Sequence, residues 1–232
     1  MGEKALQPAY VLHTRRYRES SLIVELLSAR QGRCAVLAKG ALGSRKAMGN
    51  LLQPFVPLLV DWKGRGELPV LTRCEAVASG SGLTGRGLYC GMYINELVLR
   101  LCERNDPHSA LFPAYVTCVE ALANADQVNA ALEPILRQFE LALLDELGLG
   151  VQLQYDLTGA PVDPTGHYHY VLESGPAPTG EARDAYSGRT LLGLAAGELD
   201  DPLLQREARA LMRTILDNYL GGRPLRSREL FQ

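Results

Sequence analysis

The apolar residues of this 232-residue chain change their spacing once, near residue 87, and this change constrains the fold more than any other feature. Before it, short β-rich runs alternate with polar or glycine-containing breaks. After it, apolar residues recur about every 3.6 positions, as they do in amphipathic helices. A chain of this length has room for two modest domains. We therefore predict a mixed, α+β protein with a β-rich domain over residues 1–80 and a mainly helical domain over residues 81–232.

The β-rich part contains five candidate strands with no long helix among them, which predicts a small closed barrel. Glycines at Gly32 and within residues 63–67 supply turns between the runs. The leading candidate is an OB-fold, a five-stranded β-barrel whose strand 2 and 3 face and flanking loops bind single strands or oligosaccharides. The candidate strands are residues 9–12, 22–28, 34–39, 55–62 and 68–78.

The helical part carries four helix signals, the first of which is an apolar stripe of Leu111, Tyr115, Val119 and Leu122. Residues 88–102 are apolar nearly all round, which predicts a central buried helix. A stripe within residues 132–147 ends at Gly148, a residue suited to a left-handed helix cap. Asp201 and Pro202 resemble the N-cap and first residue of another helix. Between these, a Pro-, Gly- and Thr-rich stretch near residues 155–180 predicts a small irregular insertion of loops and strands.

The charge divides unevenly between the two parts. Residues 1–80 carry 12 Lys and Arg against 6 Asp and Glu, a net charge of +6, whereas residues 81–232 carry 12 Arg against 20 acids, a net charge of −8. This asymmetry indicates an anion-binding module joined to an acidic body. An ordinary solvated surface is the alternative interpretation of the charge alone.

The basic residues of the β-rich part gather in the connections between candidate strands. A phosphate backbone favours such a cluster because each neutralised phosphate releases condensed counterions. Tyr17 and Trp62 lie beside the clusters, where each could stack on a base or pack in the core, and core packing is favoured for Trp62. The candidate DNA-binding residues are Arg15, Arg16, Tyr17, Arg18, Arg33, Lys39, Arg45, Lys46, Lys63 and Arg65.

The sequence offers no catalytic or metal-binding constellation. The glycine motifs of nucleotide-binding and hydrolase sites are absent. His167 and His169, with Asp156 and Asp163 nearby, could form a metal or acid–base group, but no third strong ligand follows at ligand spacing, which favours exposed loop residues. The five cysteines fit neither a disulfide framework nor a metal knuckle, so reduced and mostly buried thiols are expected. We expect no enzymatic activity, no cofactor and no metal.

The sequence also lacks the marks of membrane insertion or secretion. No uncharged apolar run approaches the length of a membrane span, and the first ten residues do not resemble a secretory signal. These features predict a cytoplasmic protein.

Five blocks of the sequence resemble the RecO family of bacterial DNA repair and recombination mediators. They run in the family's order over nearly the whole chain: AYVLHTRRYRESSLIVELLSARQGRCAVLAKGALGSRK, LLQPFVPLLVDWKGRGEL, LYCGMYINELVLRL, RQFELALLDELGLG and YLGGRPLRSRELF. The resemblance implies an N-terminal OB-fold on a helical domain. It also implies a non-enzymatic, nucleoid-associated protein that binds single- and double-stranded DNA and anneals complementary strands. With RecR, such a protein helps RecA replace single-strand-binding protein.

The resemblance further implies that the acidic, apolar-ended C-terminal tail of single-strand-binding protein docks on the helical domain. Arg137 is the candidate cation for this tail because it lies on a helix with an apolar stripe. The alternative is an arginine paired with Glu133 or Glu140 along its own helix.

One feature of the sequence departs from the family pattern, and one alternative function remains open. Many relatives carry a four-cysteine zinc element in the second domain, but residues 155–170 contain no cysteine, so we predict that zinc is absent. A different class of function is an adaptor whose barrel grips an acidic protein partner without annealing DNA.

Overall fold

A computed structural model describes residues 6–43, 47–64, 66–77, 82–128 and 131–231. The chain forms two compact units, the first made of Met1–Val128 with Ser227–Gln232 and the second of Asn129–Arg226. Among the described residues, no helix has both the length and the apolar character to cross a membrane.

The first unit begins with a closed barrel of five strands in the order β1-β2-β3-β5-β4. Neighbouring strands are antiparallel except for β3 and β5, which run parallel. This architecture confirms the predicted fold class, an OB-fold barrel followed by a helical region. The strands are β1 (Gln7–Tyr17), β2 (Ser21–Ser28), β3 (Gly32–Ala38), β4 (Leu58–Lys63) and β5 (Val70–Ala76), with a short helix α1 (Ala47–Leu51) between β3 and β4.

The barrel core follows the period-two alternation of its strands. Every second residue of β2 points inward, namely Leu22, Val24 and Leu26, and β3 contributes Cys34 and Val36 in the same way. Trp62 packs against this core as a partly buried side chain, which is the alternative that the sequence favoured for it.

Strand β1 is longer than the sequence predicts. Its pairing with β2 continues from Ala9 opposite Ser28 to Tyr17 opposite Ser21, with one bulge between Val11 and His13. Arg15 and Arg16 therefore lie in β1, not in the connection where the sequence pattern placed them. Charged residues do not end the strand here because their side chains are exposed and the backbone remains paired.

Two helices complete the first unit, α2 (Gly85–Leu101) and α3 (Leu111–Val128). Helix α2 buries Ile94, Leu97 and Val98 among other residues, as expected of a buried helix, whereas Tyr89 and Met92 are exposed. The chain returns to this unit through a 3₁₀ turn at Arg226–Phe231. There the backbone N–H and hydroxyl of Ser227 both donate to a carboxylate oxygen of Glu96 on α2, at 2.8 and 2.6 Å.

The described residues of the second unit form three helices and a small sheet of order β7-β6-β8. The Asp201 side chain accepts from the Leu203 N–H at 2.8 Å and Pro202 follows it, so the predicted N-terminus is confirmed. Gly148 has a φ of +72°, as a left-handed cap requires. The elements are α4 (Glu133–Glu146), β6 (His167–Val171), β7 (Gly175–Thr179), β8 (Tyr186–Ser187), α5 (Gly188–Ala196) and α6 (Pro202–Tyr219).

The cysteines are free thiols, and four of the five are buried, which confirms the expected environment. Burial raises the pKa of Cys34 to about 12 and that of Cys102 to about 11. These thiols therefore remain protonated and unreactive at neutral pH.

Candidate nucleic-acid interface

Two hydrogen bonds link the three barrel connections that the sequence marks as basic through β3 and the residues after it. The backbone N–H of Leu42, after β3, donates to the carbonyl of Ser20 in the β1–β2 turn at 2.9 Å. The N–H of Leu37, near the end of β3, donates to the carbonyl of Pro69 in the β4–β5 loop at 2.8 Å. Sequence reasoning placed the cations in separate loops, and these hydrogen bonds bring the loops together at the rim of the barrel.

Five of the ten predicted DNA-binding residues are exposed cations on this rim. They do not all belong to loops, since two lie in β1, one in the β1–β2 turn, one directly after β3 and one at the end of β4. We call them the rim cations: Arg15, Arg16, Arg18, Lys39 and Lys63. Three further predicted residues, Arg45, Lys46 and Arg65, lie outside the described residues.

A recess of about 560 Å³ opens between the β1–β2 turn and the end of β3. Tyr17 and Leu37 supply its apolar surface, and the Arg18 guanidinium carbon lies 5.3 Å from the centre of the Tyr17 ring. This distance is typical of a cation–π contact, which orients the ring. The lining residues are Tyr17, Arg18, Glu19, Ser20, Ser21, Leu37, Lys39 and Gly40.

The outer face of β2, which an OB-fold uses for ligands, is covered over most of its length. Ile23, Glu25 and Leu27 point away from the barrel core, yet each is buried. Rings from α3 pack beside them, with Tyr10 of β1 lying 6.1 Å from Phe112 and 5.3 Å from Tyr115. The recess is therefore the part of the strand 2 and 3 face that remains open to a ligand.

The β2–β3 turn shows how closely the covering segment approaches. Gly32 has a φ of +63°, and a Cβ atom placed there would lie 2.1 Å from the carbonyl oxygen of Asp106. A side chain at this position would clash with backbone that cannot move aside cheaply. Glycine is required here both for the turn and for the contact with the segment after α2.

A buried polar network joins α2 and α3 to the bulge in β1. The Asn95 amide donates to the carbonyl of Leu12 at 3.0 Å and accepts from the Tyr115 hydroxyl at 2.6 Å. Leu12 lies in the bulge, so its carbonyl is free to accept from Asn95. Burial raises the pKa of Tyr115 well above its ordinary value. The network therefore stays neutral and fixes the helices on the barrel.

Arg33 occupies a structural position that the sequence did not anticipate. Its Nε donates to Glu25 at 3.3 Å, and its Nη1 donates to the carbonyls of Leu99 and Cys102 at 2.7 and 2.9 Å. Those carbonyls belong to the C-terminal end of α2, where a cation also offsets the helix dipole. Because its side chain is only 18% exposed and its donors are engaged, the prediction that Arg33 contacts DNA is corrected to a role in packing α2 on the barrel.

Arg137 is likewise not the surface cation that a docking peptide would need. Its side chain is 5% exposed and pairs with Glu133, 3.4 Å away, and with the fully buried Glu140. Arg209 of α6 also pairs with Glu133. The pairing along its own helix, which the sequence left as an alternative, is the arrangement observed, and the assignment of Arg137 to partner binding is corrected accordingly.

The insertion is organised by two turns with the same sequence pattern, Asp-x-Thr-Gly. A carboxylate oxygen of Asp156 accepts from the N–H and hydroxyl of Thr158 at 2.8 and 2.6 Å, and Asp163 accepts from both groups of Thr165 at 2.8 Å. Hydrogen bonds from the threonines hold the pKa of both carboxyls below the usual range. The aspartates considered as metal ligands from the sequence are thus turn-forming residues.

No three His, Cys, Asp or Glu side chains come together as metal ligands within the part of the chain that the structure describes. The Glu207 carboxylate on α6 instead accepts from the Ser187 N–H and hydroxyl at 3.1 and 2.9 Å and from the Thr190 hydroxyl at 2.5 Å. These bonds fasten the end of the insertion and the first turn of α5 to α6.

Known families and proteins match this chain over nearly its full length. Residues 1–79 match the family model described as Recombination protein O N terminal, and residues 83–229 match Recombination protein O C terminal. A DNA repair protein RecO of Methylococcus capsulatus is 45% identical over 228 residues, 98% of this chain and 93% of the relative. Proteins of the same name from Aromatoleum aromaticum and Halorhodospira halophila are 44% and 45% identical, each over 97% of this chain and 94% and 96% of the relative.

Proposed function

This chain belongs to the RecO family of DNA repair proteins, and we propose that it acts by binding single- and double-stranded DNA at the barrel rim and annealing complementary strands. The observation that carries the proposal is the convergence of the rim cations on one end of an OB-fold barrel. With RecR, the protein helps to load RecA onto DNA coated by single-strand-binding protein.

Annealing of this kind needs charge neutralisation and no covalent step. Two single strands repel each other through their phosphates, and a cationic rim that holds one strand lowers that repulsion for the second. Contacts to phosphates leave the base edges free to pair. The protein therefore works as a non-enzymatic mediator, without a metal or cofactor in its mechanism.

The acidic second part of the chain serves protein partners in this proposal. Its net charge of −8 repels phosphate within a Debye length of about 8 Å at physiological salt. RecR and the tail of single-strand-binding protein are the expected partners, and Arg137 is not assigned to the tail because it is buried in ion pairs.

The test is the salt dependence of DNA binding by rim variants. The triple variant Arg15→Ala, Arg16→Ala, Arg18→Ala should weaken binding of a labelled single strand and flatten the plot of log affinity against log salt. Each lost phosphate contact removes about 0.7 from the slope on single strands. The matched control is Arg183→Ala, which removes a cation whose side chain is 91% exposed in the second unit.

The same variants should be compared in a strand-annealing assay with complementary labelled oligonucleotides. The proposal expects the rim variant to lose annealing rate together with affinity, and the Arg183 control to retain both. Wild-type affinity and slope in the rim variant would contradict the proposal. A wild-type protein that binds an acidic peptide but no DNA would instead favour the adaptor function.

A further inference from the structure

The recess at the rim is the exposed end of the outer face of β1, β2 and β3. Tyr17 lies opposite Ser21 in the β1–β2 ladder, and the β2–β3 register, in which Leu22 faces Ala38, places Lys39 next to Ser21. All three side chains line the recess, as does Leu37 two residues before Lys39. The recess therefore presents one cross-strand row of aromatic, hydroxyl and cationic groups.

These groups match the parts of a single nucleotide. The Tyr17 ring and the Leu37 side chain offer an apolar surface for a base, and Arg18 and Lys39 offer cations for the flanking phosphates. The volume of about 560 Å³ lies within the range of small-molecule sites. Glu19 also lines the recess, so its formal net charge is +1, which suits one phosphodiester better than a polyphosphate.

We propose that this recess binds one unpaired nucleotide of a DNA strand, with the base against Tyr17 and Leu37 and its phosphates at Arg18 and Lys39. The inference rests on the proposed DNA-binding function and deepens it, because it assigns the single-stranded form as the ligand of the recess. A base in a duplex is stacked and paired, and it reaches such a site only after it leaves the stack, which is unfavourable. Duplex DNA is thus held by the rim cations through phosphates alone.

This arrangement gives annealing a direction. The strand is held by phosphate contacts and one base contact while single, and pairing with its complement withdraws that base from the recess. The duplex then retains only the phosphate contacts, so the product is bound less tightly than the substrate strand. Release of the annealed product follows from the geometry of the recess without any change in the protein.

The experiment uses the full chain and three fluorescein-labelled probes of equal length: an oligothymidylate, the same backbone with abasic residues throughout, and a duplex. Binding is measured by fluorescence anisotropy for the wild type, Tyr17→Leu and Tyr17→Phe. Tyr17→Leu keeps an apolar side chain but removes the aromatic face, and Tyr17→Phe restores the ring. The matched control is Tyr155→Leu, which alters a tyrosine that is 51% exposed in the second unit.

The wild type should prefer the oligothymidylate to the abasic probe by about 5- to 150-fold, a range set by the usual strength of base–aromatic stacking. Tyr17→Leu should abolish this preference while duplex affinity stays within about twofold. Tyr17→Phe and Tyr155→Leu should retain the preference. An independent measurement uses the wild type and a series of oligomers, each with a single abasic residue at a different position. Affinity should drop for the oligomer whose abasic residue occupies the recess.

Equal wild-type affinities for the oligothymidylate and the abasic probe would overturn the inference. Parallel losses of all three probes in Tyr17→Leu would also overturn it, since they would indicate a general effect on the rim. Both results leave the proposed function standing, because the first concerns only the base and the second still places DNA at the rim. If the wild type binds none of the probes at low salt, the proposed DNA-binding function itself is contradicted.

Discussion

Replacement of Arg33 by methionine tests whether this cation stabilises the fold and, unlike the rim cations, does not bind DNA. Methionine keeps a flexible apolar side chain but removes the guanidinium that joins Glu25 of β2 to the last carbonyls of α2. We expect the Arg33→Met protein to unfold at lower temperature while its affinity for DNA, measured well below that temperature, is unchanged.

The magnitude follows from the contacts that are lost. Arg33 makes three hydrogen bonds, and a bond involving a charged group contributes about 1.5–3 kcal/mol. Two effects reduce the total, because Glu25 keeps its partner Arg104 and water reaches the partly exposed site. We therefore expect a loss of about 2–4 kcal/mol in the free energy of unfolding. At about 2–4 °C per kcal/mol, the melting temperature should fall by roughly 5–15 °C.

The assay is thermal unfolding followed by circular dichroism, paired with anisotropy titrations at two salt concentrations. Arg73→Met is the control, since Arg73 pairs with Glu75 at 3.1 Å while both side chains are about half exposed. Such a surface pair contributes no more than about 1 kcal/mol. An Arg33→Met protein with wild-type melting temperature and a flattened salt slope would refute this reasoning and return Arg33 to the DNA interface.

Two further substitutions and one metal analysis have expected outcomes. Arg18 has a φ of +54°, a conformation that costs an ordinary residue about 1 kcal/mol but suits asparagine, so Arg18→Asn should leave the melting temperature unchanged or raised while DNA affinity falls. Partial burial acts to raise the pKa of Glu207, but the hydrogen bonds from Thr190 and Ser187 outweigh it and leave the pKa below its ordinary value. The stabilisation from Glu207 is therefore present above the unfolded pKa near 4.5 and is lost as pH falls through the folded pKa. Between about pH 5 and pH 3, the melting temperature of Glu207→Gln should therefore fall less than that of the wild type. The purified protein should contain no stoichiometric zinc, and metal analysis that finds about one zinc per chain would contradict this.

The barrel could be predicted from the sequence because its signals are local. Each strand carries its own alternation, and the turns at Gly32 and in the β4–β5 loop carry their own glycines. The extension of β1 to Tyr17 could not be predicted in this way. It depends on pairing with β2 across the turn, and Arg15 and Arg16 give no apolar alternation to mark it.

The sequence pattern also could not predict that the helical segments cover most of the outer face of β2 and β3. Periodicity shows that α2 and α3 have apolar faces, but it does not show which surface receives them. One signal was present, since Glu25 is the only charged residue in the apolar run of β2. A carboxylate in such a run indicates a buried partner, and the partners, Arg33 and Arg104, lie 8 and 79 residues away.

The insertion carries a turn signal that is more specific than its histidines. Asp156 and Asp163, with His167 and His169, could form a metal or acid–base group, but the missing third ligand favoured exposed loop residues. The repeated Asp-x-Thr-Gly pattern is a more specific mark, since a short carboxylate accepts from backbone and hydroxyl groups two residues on. A repeated turn pattern thus accounts for these residues without any ligand.

The two corrected assignments share a physical cause that bears on the cations still untested. Arg33 lies diagonally across the β2–β3 ladder from Glu25, and Arg137 lies four residues after Glu133 and three before Glu140 on α4. In both places a carboxylate stands within reach on an otherwise apolar face, where an unpaired charge would be costly and pairing is therefore strongly favoured. An arginine in that setting pairs with a carboxylate of its own chain and is not available to a ligand. Lys39 directly follows β3, Lys63 is the last residue of β4, and both are exposed. Because bulk water already solvates them, they can contact a phosphate without leaving a buried acid unpaired.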